Sequence, residues 1–525
     1  HRGAVTRLSP DRDRAQVRTR LLALTRKELI RPDRAQFVGE DAFRFRHLLI
    51  RDAAYQGMPK EARAELHLRF ADWLTEQAGD RLPEYEDILG YHLEQAYRYR
   101  AELGPVDEEG RTLAERAGRM LASAGMRAVA RDDSHASTGL LGRALELLPA
   151  DTAEWRELCL ELVESLVNTG EFQRAGDLDE KLLRRARETG DRRVEALAIA
   201  GHPFLAGALD TSKTELSRLE ESKEAVRVLE EMGDHRGATR AMRTVGFMTF
   251  VLGRVDESVA IARRRIDEAR LARDARELRL AVGAIGGGLY YGSAPVGRAI
   301  EEIESILPEV ADSRIATAEV MLHLPPLYAM QGRFDEAHRA ADRSRLLLEE
   351  VGGRFRLATR VFWSVPMHVL AGDLEAAERE LRESVATLEA IGDKGFLSTI
   401  SCDLAEVLAK RGELDEAERY AEYGRSLGAT DDTVTLIEWR AVKAKVLAER
   451  GETEEAERLA RDAVAIAEGT DYLTHRADCL MRLGEVLRLA GKAEEAADAV
   501  GRALELYERK GNEVMAARVR AELAR

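Results

Sequence analysis

Apolar residues recur along most of this chain at i, i+3, i+4 and i+7, the period of a helix with one buried face. Leu404, Val407 and Leu408 form such a stripe before Gly412, and Ala417, Tyr420 and Ala421 form the next one after it. A short turn separates the stripes: a glycine, a few polar residues, then alanine five places on. It appears as GEFQRA at Gly170, GRFDEA at Gly332, GDLEAA at Gly372, GELDEA at Gly412, GETEEA at Gly451 and GKAEEA at Gly491, with the variant GRVDES at Gly253. The spacing is about 40 residues, or about twice that where weaker turns at Asp210–Ser212 and Gly292–Gly297 replace the motif. A second turn alternates with the first, at Gly190-Asp191, Gly233-Asp234, Gly392-Asp393 and Gly511-Asn512. The unit is therefore helix, glycine turn, helix, glycine turn.

The physical logic is local. Glycine enters the left-handed conformation that stops a helix without steric cost. The acidic residues that follow complement the dipole of the next helix. The alanine lets the two helices of a unit approach closely. One pair cannot bury its apolar face alone, whereas stacked pairs can. The expected fold is all-α: an α-solenoid of about ten helical hairpins over residues 112–525.

Composition agrees. Charged residues make up 33% of the 525 and aromatics only 5%, with Ala, Leu, Glu and Arg dominant. The net charge of −15 is well mixed, which argues against a general grip on nucleic acid. Cys159, Cys402 and Cys479 are far apart in apolar helical contexts and read as buried thiols. No apolar run approaches the roughly 20 residues of a membrane span, and no signal peptide is read at the start; a cytoplasmic location is expected. The eleven histidines show no metal-ligand spacing, so no metal site is expected. The run Arg263-Arg264-Arg265 is expected on a solvated face.

Residues 1–80 depart from this rhythm. Arg14–Leu29 reads as a helix, Leu29–Pro32 and Phe43–Arg46 as short strands, and Leu48–Tyr55 and Lys60–Gln77 as helices. Helix, hairpin, helix is the order of a small winged-helix module. Residues 81–111 read as a helical linker.

The repeats resemble the tetratricopeptide family in a long variant, about 40 residues where the family has about 34. The last unit is most similar, with Leu483-Gly484, Leu487, Gly491, Ala496 and Ala503 in place. The segment FRFRHLLIRDAAYQGMPKEARAELHLRFADWL, Phe43–Leu74, is similar to the end of the ATPase module in STAND-type signal-transduction ATPases. Ile88–Ala96 (ILGYHLEQA) and Glu505–Leu523 are similar to the same group, most closely to actinobacterial proteins that join a nucleotidyl cyclase, such an ATPase and a tetratricopeptide array. The resemblance implies a piece of a longer protein, with the nucleotide-binding domain missing in cis.

In related ATPases a Met-His-Asp motif places a histidine against the phosphates of bound ADP. Phe45-Arg46-His47 matches that position, with Leu48 where the Asp would stand, so His47 is the candidate contact to ATP or ADP in the full-length parent. An imidazole can donate a hydrogen bond to a phosphate oxygen. No GxxxxGK[ST] occurs in the chain, so no cofactor and no enzymatic activity are expected of these residues themselves.

The middle units carry residues the repeat does not need: His202-Pro203-Phe204, Gly246, Phe247 and Phe250, Gly286–Gly288 with Tyr290-Tyr291, then His323, Pro325-Pro326 and Tyr328, and finally Phe362-Trp363, Pro366 and His368. Proline inside a helix costs about 3 kcal/mol and glycine about 1 kcal/mol. Such costs in neighbouring units point to a shaped groove over residues 200–370, on the first helices that line a tetratricopeptide concave surface. Its expected residues are Phe204, Phe247, Phe250, Tyr290, Tyr291, His323, Tyr328, Trp363 and His368, and its expected partner a protein or a small molecule. The function expected is a sensor and regulatory region of a STAND-type ATPase. The alternatives are a scaffold for protein assembly and a transcription regulator touching DNA through the winged helix.

Overall fold

The computed structural model describes residues 1–201 and 203–524. It contains two compact units, His1–Leu162 and Val163–Arg525, and the division falls within the helix Ala153–Thr169.

In the first unit a helix, Val17–Arg26, leads into an antiparallel hairpin of Ile30–Asp33 and Ala42–Phe45, in which Ile30 pairs with Phe45 and Pro32 with Phe43. Ile30 is buried against Val17 and Leu21, with Phe43 packed on them. The preceding helix is shorter than the sequence suggests, because Glu28 takes a left-handed conformation that ends it. Helices Leu48–Gln56 and Lys60–Ala78 follow. Residues 81–111, expected as a helical linker, carry the helix Glu86–Leu103, packed between Lys60–Ala78 and Glu108–Ala130. Leu89, Leu93 and Ala96 are buried there. Helical stacking thus begins well before residue 112.

The second unit is the expected repeat solenoid. Its helices alternate as inner and outer members of successive hairpins, and each motif alanine from Ala175 to Ala496 is buried where the two helices meet. At Gly412, φ +83°, two hydrogen bonds close the helix end: Gly412 N–H donates to the Ala409 carbonyl and Glu413 N–H to that of Leu408. In the second turn type the residue after glycine caps the start of the next helix, as the N-cap at Asp191, Asp234 and Asn512 and one residue before it at Asp393. Asp191, Asp234, Asp393 and Asn512 each accept from a backbone amide three residues on. In the variant motif, the Ser258 hydroxyl donates to the Gly246 carbonyl at 2.8 Å. All three cysteines of the chain are buried.

Three inner helices are broken. Arg192–Ala200 and Pro203–Leu209 are separate, as are Arg314–Met321 and Leu324–Met330, and Arg354–Thr359 and Val361–Ala371. Pro325 and Pro326 have no N–H to return to Met321 and Leu322, and the second break falls at Leu322-His323. Pro203 opens its helix at the first position, where a missing donor costs nothing.

The solenoid also winds far enough to meet itself. The Asp431 carboxylate accepts from the amides of Glu215 and Leu216, at 2.8 and 3.0 Å. Asp471 N–H donates to the Gly253 carbonyl at 2.8 Å. The Tyr472 hydroxyl donates to the Phe250 carbonyl. The Lys510 ammonium donates to the carbonyls of Leu289, Gly292 and Ala294, at 2.7, 2.8 and 2.8 Å. These partners lie 215 to 222 residues apart, so one superhelical turn takes about five and a half repeats. The seam between turns converts the concave face into an interior. Among the described residues, no helix is long and apolar enough to cross a membrane.

Candidate ligand cavity inside the repeat superhelix

The inner helices from Pro203–Leu209 to Thr433–Glu449 surround a cavity of ≈ 300 Å³. Its shape begins with glycine. On the helix Ala275–Tyr291 a Cβ at Gly286 would lie 2.2 Å from His323 Cγ, one at Gly283 2.8 Å from a Glu319 oxygen, and one at Gly288 2.3 Å from Val259. A side chain at Gly287 would approach Trp363 to 3.2 Å. The glycine run therefore lets the next inner helix and the aromatic wall close in on a bare backbone, which offsets its low helix propensity.

The wall is aromatic. Phe204, Phe247, Phe250, Phe355, Phe362 and Phe396 all line the cavity, which is half of the 12 phenylalanines in the whole chain. Tyr291, Trp363 and Tyr472 join them. The rings meet at edge-to-face and tilted angles: Phe204 and Phe247 at 5.1 Å between centroids, Phe204 and Phe396 at 5.4 Å, Phe250 and Tyr472 at 5.5 Å, His323 and Trp363 at 4.3 Å. Most are only partly buried, because one face of each looks onto open space.

Charged groups in this wall are paired. Arg243 grips both oxygens of Glu164, at 3.1 and 2.6 Å. Arg265, with a side chain 1% exposed, donates to Glu277 at 2.5 Å. Arg356 pairs with Glu319 and also donates to Asn168. Arg360 pairs with Glu380 at 2.9 Å. Burial pushes Glu380 upward, but His368, Arg360 and Ser364 outweigh it and hold the carboxyl well below its usual range. Burial pushes Glu215 up to about 7, against the opposing pull of Arg218. Burial also pushes His323 down to about 3, so this imidazole is neutral.

Residues 401–422 and 439–470 match the tetratricopeptide repeat. Each match straddles one glycine turn, at Gly412 and at Gly451. No curated protein sequence matches the chain. Among solved structures it is similar to the APC/C hetero-tetramer Cut9-Hcn1, at 14% identity and a TM-score of 0.49 over 90% of this chain and 92% of that one. It is also similar to a Rap protein complexed with competence and sporulation factor, at 13% identity and a TM-score of 0.38 over 75% and 99%.

Of the nine groove residues expected from the sequence, the tetratricopeptide-like unit brings six to this cavity: Phe204, Phe247, Phe250, Tyr291, His323 and Trp363. Three lie elsewhere. Tyr290 is buried in the core beside Tyr291, since neighbouring helical positions point about 100° apart. The Tyr328 hydroxyl donates to Glu304 at 2.5 Å, and Arg333 lies over its ring. His368 turns toward Glu380, 3.7 Å away. His202 lies outside the described residues. Arg265 corrects the reading of its run as solvated: Arg263 and Arg264 are exposed and pair with Glu302 and Glu268, while the third arginine rotates inward. Phe355, Phe396 and Tyr472 were not singled out, although the scarcity of phenylalanine in the chain was a usable signal. In the first unit, His47 precedes the helix Leu48–Gln56 at the strand–helix corner, exposed and without a hydrogen bond to its side chain among the described residues.

Proposed function

We propose that the repeat unit is the sensing region of a STAND-type signalling ATPase. A ligand in the interior cavity would bias a nucleotide switch carried outside these residues. The observation that supports this most is the gathering of half the chain's phenylalanines around one ≈ 300 Å³ space. That volume sits at the lower end of ligand pockets, roughly 300–1,000 Å³. A core-forming purpose would leave no space there, since interiors pack to crystal density. The closed seam supplies the coupling element. Tyr472 lines the cavity and also bonds the Phe250 carbonyl across the turn, so occupancy acts on a contact between distant repeats.

The hairpin Ile30–Asp33/Ala42–Phe45 and its flanking helices are assigned to the winged-helix end of the ATPase module. His47 is assigned to the phosphates of ATP or ADP in the parent, where the missing domain would be its partner in cis. An upstream coding sequence without a phosphate-binding loop would overturn the ATPase part.

The sensing part is tested on the purified chain. Ala284 lines the cavity and is exposed to it. Ala284→Phe would project a ring toward the space and narrow it. In a thermal-shift assay with a panel of naphthalene derivatives of different charge, at least one is expected to stabilise the native protein and to shift A284F less. No shift with any compound refutes the sensing role.

A further inference from the structure

We infer that the cavity selects a neutral, apolar, ring-bearing small molecule that carries a hydrogen-bond acceptor oxygen, such as a ketone, ester or amide. This rests on the cavity being a ligand site, and it adds the chemical class. Three observations carry it.

The first is that the charged groups of the wall are already ion-paired or hydrogen-bonded. Arg243, Arg265, Arg356 and Arg360 each have their own carboxylate, in Glu164, Glu277, Glu319 and Glu380. Glu215 lies 3.9 Å from Arg218. Asp432 is held by the amide and hydroxyl of Thr435, at 3.2 and 2.8 Å. An anion or cation entering this space would exchange its hydration for rings and for ions already paired.

The second is the rings themselves. Offset and edge-on aromatic faces reward a flat or branched hydrocarbon body. A volume of ≈ 300 Å³ suits a compact molecule.

The third is a pair of open polar atoms. Among the described residues neither the Tyr291 hydroxyl nor the Trp363 indole N–H has a hydrogen-bond partner, and both residues line the cavity. Their ring centroids are 5.9 Å apart. Indole N–H can only donate, and a phenol can donate, so together they call for an acceptor. The Nε atoms of Arg243 and Arg265 and the Nδ1 of His323, also without a partner among the described residues, are buried.

The test measures calorimetric dissociation constants of four probes for the purified chain: naphthalene, 2-acetylnaphthalene, 2-naphthoate and 2-naphthylmethylammonium. The ketone is expected to bind about three- to ten-fold more tightly than naphthalene, the worth of one net hydrogen bond. Both ions are expected to bind at least about 100-fold more weakly than the ketone. In Tyr291→Phe and in Trp363→Phe, with both probes measured on the same variant, the advantage of the ketone over naphthalene should fall to within about two-fold. If either ion matches the ketone, or the ketone gains nothing over naphthalene, the assigned class is wrong while the cavity remains a ligand site. If none of the four binds, or A284F binds them as the native chain does, the cavity reading itself falls.

Discussion

Replacing Lys510 by Met removes the cation from the seam while keeping much of its length. Lys510 is 1% exposed, and its ammonium donates to three carbonyls at or just beyond the end of the helix Ala275–Tyr291. Carbonyls at a helix C-terminus have no partner within the helix. Leaving each one unpaired costs about 1–3 kcal/mol. The variant also escapes the cost of burying an ammonium, a few kcal/mol. The net loss is about 2–4 kcal/mol, concentrated where residues 493–510 meet residues 275–294. Amide exchange should locate it there, and urea unfolding followed by circular dichroism should measure it. The pH dependence is a second readout. Burial pulls the Lys510 ammonium from 10.5 to about 7, with Asp256 opposing. Between about pH 7 and 10.5 the unfolded chain holds a proton that the folded chain has released, so native stability rises with pH across that window. The slope is at most about 1.4 kcal/mol per pH unit. Lys510→Met should lack this rise. A variant within about 0.5 kcal/mol of the native chain at pH 6.5, with unchanged exchange at residues 289–294, would refute the reasoning.

Three further perturbations probe separate links. Gly372 has φ +83°, and a Cβ added there would meet nothing within 4 Å, so Gly372→Ala should cost about 1–2 kcal/mol from backbone conformation alone, read by denaturant unfolding. Gly286→Ala would place a Cβ 2.2 Å from the His323 ring; a loss of about 1–3 kcal/mol is expected, and an undisturbed stability would contradict the close packing of that ring. Glu215 is held near 7 in the fold against 4.5 unfolded, so the folded state keeps its proton longer and stability declines as pH rises from about 4.5 to about 7. Glu215→Gln should flatten that decline in a series of thermal melts.

The repeat was legible because its signals are local. Glycine at 170, 332, 372, 412, 451 and 491 takes a positive φ at every copy, and the buried alanine five residues on marks the same packing contact each time. Even the weak turns near 210 and 292 separate helices as the spacing requires. The hairpin in the first unit was equally readable from Leu29–Pro32 and Phe43–Arg46. The misplaced features have non-local causes. Adjacent Tyr290 and Tyr291 could not be told apart without the helix's rotation. Tyr472 reaches the cavity only because the solenoid completes a turn, and no local pattern announces a partner 222 residues away. Phe396 lies beyond the 200–370 window for the same reason. The helix Glu86–Leu103 falls in the stretch read as a helical linker, and Leu89, Leu93 and Ala96 give it a buried face.

The bond from Lys510 to Leu289 changes what shortening this array means. In an open stack of hairpins the last unit supports only its neighbour, and losing it frays one end. Here the last full hairpin braces a helix five units upstream. Trimming the tail would therefore injure the middle, and the array should melt as one body instead of unzipping from its tip.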